Sequence, residues 1–131
     1  MPVRVGIDLV SAESVRESIS AHGARYLERV FSADEVSDCS TATAIDAERL
    51  AARFAAKEAA FKVLRVGDEA ITWRDIEVRR DPSGWVELSL TGRAATLASA
   101  AGISDFALSL THEQGLAGAV VVAEIPLVAE K

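Results

Sequence analysis

From its amino end the chain alternates. Val3, Val5, Ile7 and Leu9 are interleaved with Arg4, Gly6, Asp8 and Val10. A period of two is the signature of a strand, and it sets Asp8 on the side away from the apolar row. Ser14-Val15-Arg16-Glu17 has the spacing of a capping box and predicts a helix starting there; Ser32-Ala33-Asp34-Glu35 repeats it, flanked by Phe31 and Val36 as a hydrophobic staple. Ser37 to Ala44, rich in Ser and Thr, reads as a loop. The longest helix is expected over Asp46 to Leu64, with Asp46 as N-cap and no Gly or Pro inside it. Arg65 to Ala70, containing Gly67, follows as a loop.

In the second half, Trp73 to Arg80 and Trp85 to Leu90 read as strands joined by the turn Asp81-Pro82-Ser83-Gly84. Thr91 to Ala101 is an Ala-rich helix stopped by Gly102. Phe106 to Thr111 and Leu116 to Glu124 are two more strands, connected through His112-Glu113-Gln114-Gly115. The last strand is apolar on nearly both faces, which suits a central strand or a subunit interface. Strand pairs separated by helices predict an α+β fold, and the length predicts a single domain spanning 1–131.

Composition narrows the function. Half of the 131 residues are apolar and 5% are aromatic, so the core must be built from Ala, Val, Leu and Ile. A chain this short builds a modest core, and oligomerisation is a common remedy. The net charge of −6 argues against nucleic acid and anionic membranes as partners. No run approaches a membrane span, the first ten residues do not read as a signal peptide, and Cys39 is the only cysteine. A cytoplasmic location is expected.

The chemistry is concentrated in the long helix. At about 100° per residue, Leu50, Phe54, Phe61 and Leu64 form one stripe and alanines cover much of the rest. From Leu50 to Leu64 only Arg53, Lys57, Glu58 and Lys62 are charged. Charges on so apolar a helix need partners. They could be structural, with Glu58 and Lys62 paired at the surface and Arg53 and Lys57 snorkelling. They could instead serve a ligand: Asp8 and Glu58 could share a hard divalent cation, and Lys and Arg beside it would suit a polyphosphate. His112 sits at a strand end near Ser109 and Thr111, either as a turn residue or as a ligand contact. Having only His22 and His112, with no HxxxH or CxxC spacing, argues against a zinc site. There is no Gly-rich dinucleotide loop, no Walker loop and no nucleophile elbow.

Three segments carry a family resemblance. Gly6-Ile7-Asp8-Leu9-Val10 resembles the amino-terminal motif of the holo-(acyl carrier protein) synthases, the small trimeric 4'-phosphopantetheinyl transferases. Arg53-Phe54-Ala55-Ala56-Lys57-Glu58-Ala59 is similar to their signature helix, and Ser109-Leu110-Thr111-His112-Glu113 to their Ser-x-Ser-His motif. The resemblance implies an antiparallel sheet packed against the long helix and a homotrimer binding coenzyme A between subunits. The implied reaction moves phosphopantetheine from coenzyme A to a serine of an apo acyl carrier protein, with Mg2+ on Asp8 and Glu58. It implies a catalytic set of Asp8, Glu58 and Lys62. Lys57 and Lys62 would neutralise phosphates, supported by Arg53, with Ser109, Thr111 and His112 near the adenosine 3'-phosphate. Where the family places an acidic residue and then an arginine after the first motif, this chain has Ser11 and Ser14. Arg16, Arg25 and Arg29 are then the basic residues left to meet an acidic carrier. A non-catalytic module that binds coenzyme A or a nucleotide is the alternative reading.

Overall fold

A computed structural model describes residues 2–68 and 70–127. The chain runs β1 (Val3–Ser11), α1 (Ala12–His22), α2 (Ala24–Val30), α3 (Ala33–Asp38) and α4 (Ala47–Leu64). A 3-10 turn (Trp73–Asp75) leads into β2 (Ile76–Arg80), β3 (Val86–Leu90), α5 (Gly92–Ala100), β4 (Ala107–Glu113) and β5 (Leu116–Glu124). Glu69, in the expected loop after α4, lies outside the described residues.

The antiparallel sheet has the order β1-β5-β4, and β2-β3 is a separate hairpin. The two-sided apolar strand β5 is therefore the central one. One face of this sheet carries α4, and that face explains the alanines. Ala51, Ala52, Ala55, Ala56, Ala59 and Ala60 are all within 1% of complete burial. Small side chains let the helix axis lie close to the strands. Gly6 marks the tightest approach: a Cβ there would sit 2.0 Å from the Ala59 carbonyl oxygen. Arg4, on the same side of β1, donates to the Val63 carbonyl at 3.1 Å.

Among the described residues nothing covers the opposite face of β1. Val3, Val5, Ile7 and Leu9, the apolar row of the sequence pattern, are 53%, 59%, 63% and 67% exposed. Among the described residues no helix is long and apolar enough to cross a membrane.

Two expectations need correction. The first helix starts not at Ser14 but after Ser11, whose side chain accepts the Ser14 N–H at 3.1 Å. The backbone turns there because the Ala12 N–H is taken by the Gly115 carbonyl at 2.8 Å. Trp73 does not open a strand either. Its ring lies against Phe54 and Phe61, with centroids 5.0 Å from each, and the backbone around it coils before β2 begins. The second capping box is present as read, with Ser32 and Glu35 bonded reciprocally.

Candidate active site

Asp8 pairs in register with Ala119 of β5, and Ala119 with Leu110 of β4. Ala119 is 3% exposed beneath α4, so Asp8 shares the helix-facing side of the sheet. The close approach at Gly6 brings α4 to it. Lys62 spans the gap, with its Nζ 3.5 Å from Asp8 Oδ1 and donating to the Ile7 carbonyl at 2.7 Å. Glu58, one turn earlier on α4, is half-buried. Burial, and next the charge of Asp8, raise its pKa above the ordinary 4.5, while Lys62 opposes them.

Asp8, Glu58 and Lys62 thus form a half-buried cluster of two carboxylates and one ammonium, one negative charge in excess. Among the described residues no group of three or more His, Cys, Asp or Glu could enclose a metal. A cation here would draw two side-chain carboxylates and take its other ligands from water and substrate oxygens. That donor set fits magnesium, which keeps several waters and joins one or two carboxylates to phosphates.

A second group gathers around a cavity of about 280 Å3 lined by Arg49, Arg53, Arg80, Trp85, Ser109 and His112, among others. Arg53 is 3% exposed; its Nε and Nη2 have no hydrogen-bond partner among the described residues, and its one ion pair, to Asp38, is long at 3.7 Å. A buried guanidinium with unused donors is costly without an anion. His112 Nδ1 is bonded to Glu48 Oε1 at 2.6 Å, and Glu48 Oε2 accepts the Gly115 N–H at 2.8 Å. Those two bonds, Gly115 first, hold Glu48 below the usual carboxylate range. They also fix the imidazole, leaving Nε2 as the nitrogen that can meet a ligand.

The sequence-predicted residues therefore divide. Asp8, Glu58 and Lys62 meet in one cluster; Arg53, Ser109 and His112 line one cavity. Thr111 does neither. It lies level with Gly118 and Leu9, on the side of the sheet that β1 leaves uncovered. Lys57 corrects its expectation as a phosphate ligand. It is fully buried, and its Nζ donates to Glu35 Oε1 at 2.9 Å, to the Trp73 carbonyl at 3.2 Å and to the Ile76 carbonyl. Burial pushes its pKa down, and the Glu35 carboxylate opposes that. Nor do Arg53 and Lys57 snorkel, since both are buried. Sequence reasoning missed Arg49, Arg80, Glu48 and Glu35. Glu35 carried a signal only as a capping residue, and its partner is 22 positions away.

On the remaining surface, His22, Arg25, Tyr26 and Arg29 line a groove of about 420 Å3 on α1 and α2. Arg16 is turned to Glu13, 3.4 Å away.

Residues 4–118 match the family model of the 4'-phosphopantetheinyl transferase superfamily. The chain is 41% identical over 126 residues to a holo-[acyl-carrier-protein] synthase of Desulforudis audaxviator, covering 96% of this chain and 95% of that protein. A holo-[acyl-carrier-protein] synthase of Koribacter versatilis is 40% identical, with 95% and 99% covered. Among solved structures, the ACPS–CoA complex of Chronobacterium ammoniagenes matches with a TM-score of 0.83 at 31% identity, covering 97% of this chain and 100% of that one. The Helicobacter pylori holo-[acyl-carrier-protein] synthase in complex with coenzyme A matches at 0.78 and 28% identity, with 92% and 99% covered.

Proposed function

The chain belongs to the 4'-phosphopantetheinyl transferase superfamily, and from that premise we propose that it is a holo-[acyl-carrier-protein] synthase whose reaction centre is the Asp8–Glu58–Lys62 cluster. It transfers 4'-phosphopantetheine from coenzyme A to a serine of an apo acyl carrier protein. The meeting of two carboxylates and a lysine where the sheet and α4 approach most closely is the observation that carries this assignment.

The serine oxygen attacks the β-phosphorus of coenzyme A. The bond from that phosphorus to the bridging oxygen breaks, and adenosine 3',5'-bisphosphate leaves with the oxygen. A carboxylate of the cluster, Asp8 or Glu58, is placed to take the serine proton. The Lys62 side chain is exposed and its Nζ is tethered at the Ile7 carbonyl, so its ammonium can offset charge on the pyrophosphate. Mg2+ held by Asp8 and Glu58 would supply further electrostatic stabilisation of the leaving pyrophosphate oxygens. Arg49, Arg53 and His112 would receive the phosphate at the nucleotide end, in the cavity where Arg53 has unused donors.

We assign the uncovered row Val3, Val5, Ile7 and Leu9 to a homotrimer interface, since isolated chains seldom leave so continuous an apolar strand face in water. Thr111, on the same side of the sheet, would then reach substrate only in the assembly. A single monomeric species in sedimentation at micromolar concentration would contradict this. The cytoplasm is the proposed location.

The test of the function is incubation with coenzyme A, Mg2+ and an apo carrier protein. The carrier should gain one phosphopantetheine by mass. Coenzyme A binding without a mass gain would instead make the chain a binding module.

A further inference from the structure

Lys57 is the residue on α4 with the most complete set of partners, yet none of them is a substrate group. An ammonium has three donors, and all are engaged inside the protein, by Glu35, the Trp73 carbonyl and the Ile76 carbonyl. The Phe31 ring lies 5.6 Å away. Glu35 is equally occupied. Its Oε1 also accepts the Ser32 N–H at 2.8 Å, and its Oε2 accepts the Val78 N–H at 2.8 Å. One fully buried ion pair therefore ties α4 to α3, to the 3-10 turn and to β2.

Stability does not account for it. A buried ion pair roughly breaks even against an apolar pair of similar volume, because desolvation offsets the attraction. What such a pair supplies is direction. The alanine-lined face of α4 lets it lie close to the sheet, but small side chains interdigitate little and do little to fix how the helix is rotated about its axis. Besides the packing of Phe54 and Phe61 on Trp73, directional bonds hold the helix on two sides: Arg4 to Val63 and Lys62 to Ile7 toward β1, and Lys57 to Glu35 on another. Glu58 follows Lys57 in the chain and lies about 100° around the helix from it.

We propose that Glu35 and Lys57 are a positioning pair that fixes the rotation of α4 and so aims Glu58 at Asp8. The inference rests on the reading of Asp8 and Glu58 as the metal carboxylates. It makes Glu35, bonded to α4 about 100° around the helix from Glu58, a determinant of metal affinity.

The test compares wild type, E35D, the double variant E35Q/K57M and E58Q by Mn2+ binding followed by electron paramagnetic resonance in the presence of coenzyme A. Thermal midpoints are measured alongside. The double variant removes both charges together but leaves the Trp73 and Ile76 carbonyls without the Lys57 donor, so its midpoint should fall, and binding is compared well below that midpoint. Its half-saturating Mn2+ should rise about tenfold, the low end of what outer partners of a metal ligand contribute. E35D keeps the charge, shortens the strut by one methylene and should shift Mn2+ binding in the same direction by less. Steady-state kinetics on E35D should show the raised metal requirement with the KM for the carrier unchanged. Wild-type Mn2+ binding in both strut variants overturns the inference alone, provided E58Q shows the expected loss. If the double variant does not fold, E35D decides by itself, and unchanged binding overturns the proposal. A wild-type protein that binds no Mn2+ overturns the metal reading and this inference with it.

Discussion

Gly6 and Ala59 meet where no side chain fits: a Cβ on Gly6 would stand 2.0 Å from the Ala59 carbonyl oxygen. Backbone cannot yield there as the end of a flexible side chain can. This contact sets the separation of β1 and α4, and Asp8 lies two residues along β1 from it. Gly6→Ala is expected to lower stability by about 3 kcal/mol, the upper end for overpacking, in urea unfolding. It should also raise the Mg2+ requirement of the folded fraction, because Asp8 and Glu58 are pushed apart. Wild-type values for both would mean that the strand and helix part at no consequence to the site.

Arg53 carries a stability liability that a ligand can relieve. It is buried, and two of its nitrogens have no hydrogen-bond partner among the described residues. Arg53→Met should leave the ligand-free protein at least as stable as wild type. The KM for coenzyme A should rise about 10- to 100-fold, the equivalent of one charge-assisted hydrogen bond at roughly 1.5–3 kcal/mol. The KM for 3'-dephospho-coenzyme A should change little. Equal losses with both donors would remove the 3'-phosphate from this cavity.

The carrier must be met by a local basic surface, since the chain has a net charge of −6. Arg25 and Arg29 line the groove on α1 and α2, whereas Arg16 is turned to Glu13. Arg25→Glu is expected to raise the KM for an acidic carrier and leave that for coenzyme A unchanged, with the defect shrinking in high salt. Arg16→Glu should have the smaller effect. Identical carrier kinetics for wild type and Arg25→Glu at low salt would relocate the docking surface.

Much of this was legible in the chain. The period of two in Val3 to Leu9 gives β1, and Asp46 with its uninterrupted helix gives α4 to the residue. The same periodicity separates Asp8 from the apolar row, which is why a strand pattern could nominate a site carboxylate. Local patterns failed where a distant group decided. Ser11 won the cap from Ser14 because Gly115, brought close by the β1–β5 pairing, holds Ala12. Trp73 left the strand for two phenylalanines of α4. In a helical projection Lys57 falls inside the apolar arc and Glu58 at its shoulder, but the projection names no partner for either. Only the placement of α3 and β2 shows one in a buried ion pair and the other beside Asp8. The sequence pattern also could not tell whether the apolar row of β1 faced the core or the surface of the chain.

Glu58 makes the site sensitive to pH in a direction fixed by its raised pKa. It holds a proton more tightly in the folded chain than in the unfolded one, so its ionisation opposes folding. With metal chelated, wild type should lose stability relative to Glu58→Gln as pH rises from the ordinary 4.5 through the raised value. In turnover the proton competes with the cation, so the Mg2+ needed for half-maximal rate should climb as pH falls through the same window. A constant stability difference between the two proteins across that window would contradict the shift.

The most direct measurement is the rate at which Glu58→Gln loads an apo carrier, read by carrier mass at limiting Mg2+ after circular dichroism has shown the fold to be intact. The account predicts a fall of about a hundredfold or more, since a ligand should matter at least as much as the outer partners that orient it. Near-normal turnover by this variant would contradict the assignment of the Asp8–Glu58–Lys62 cluster as the reaction centre.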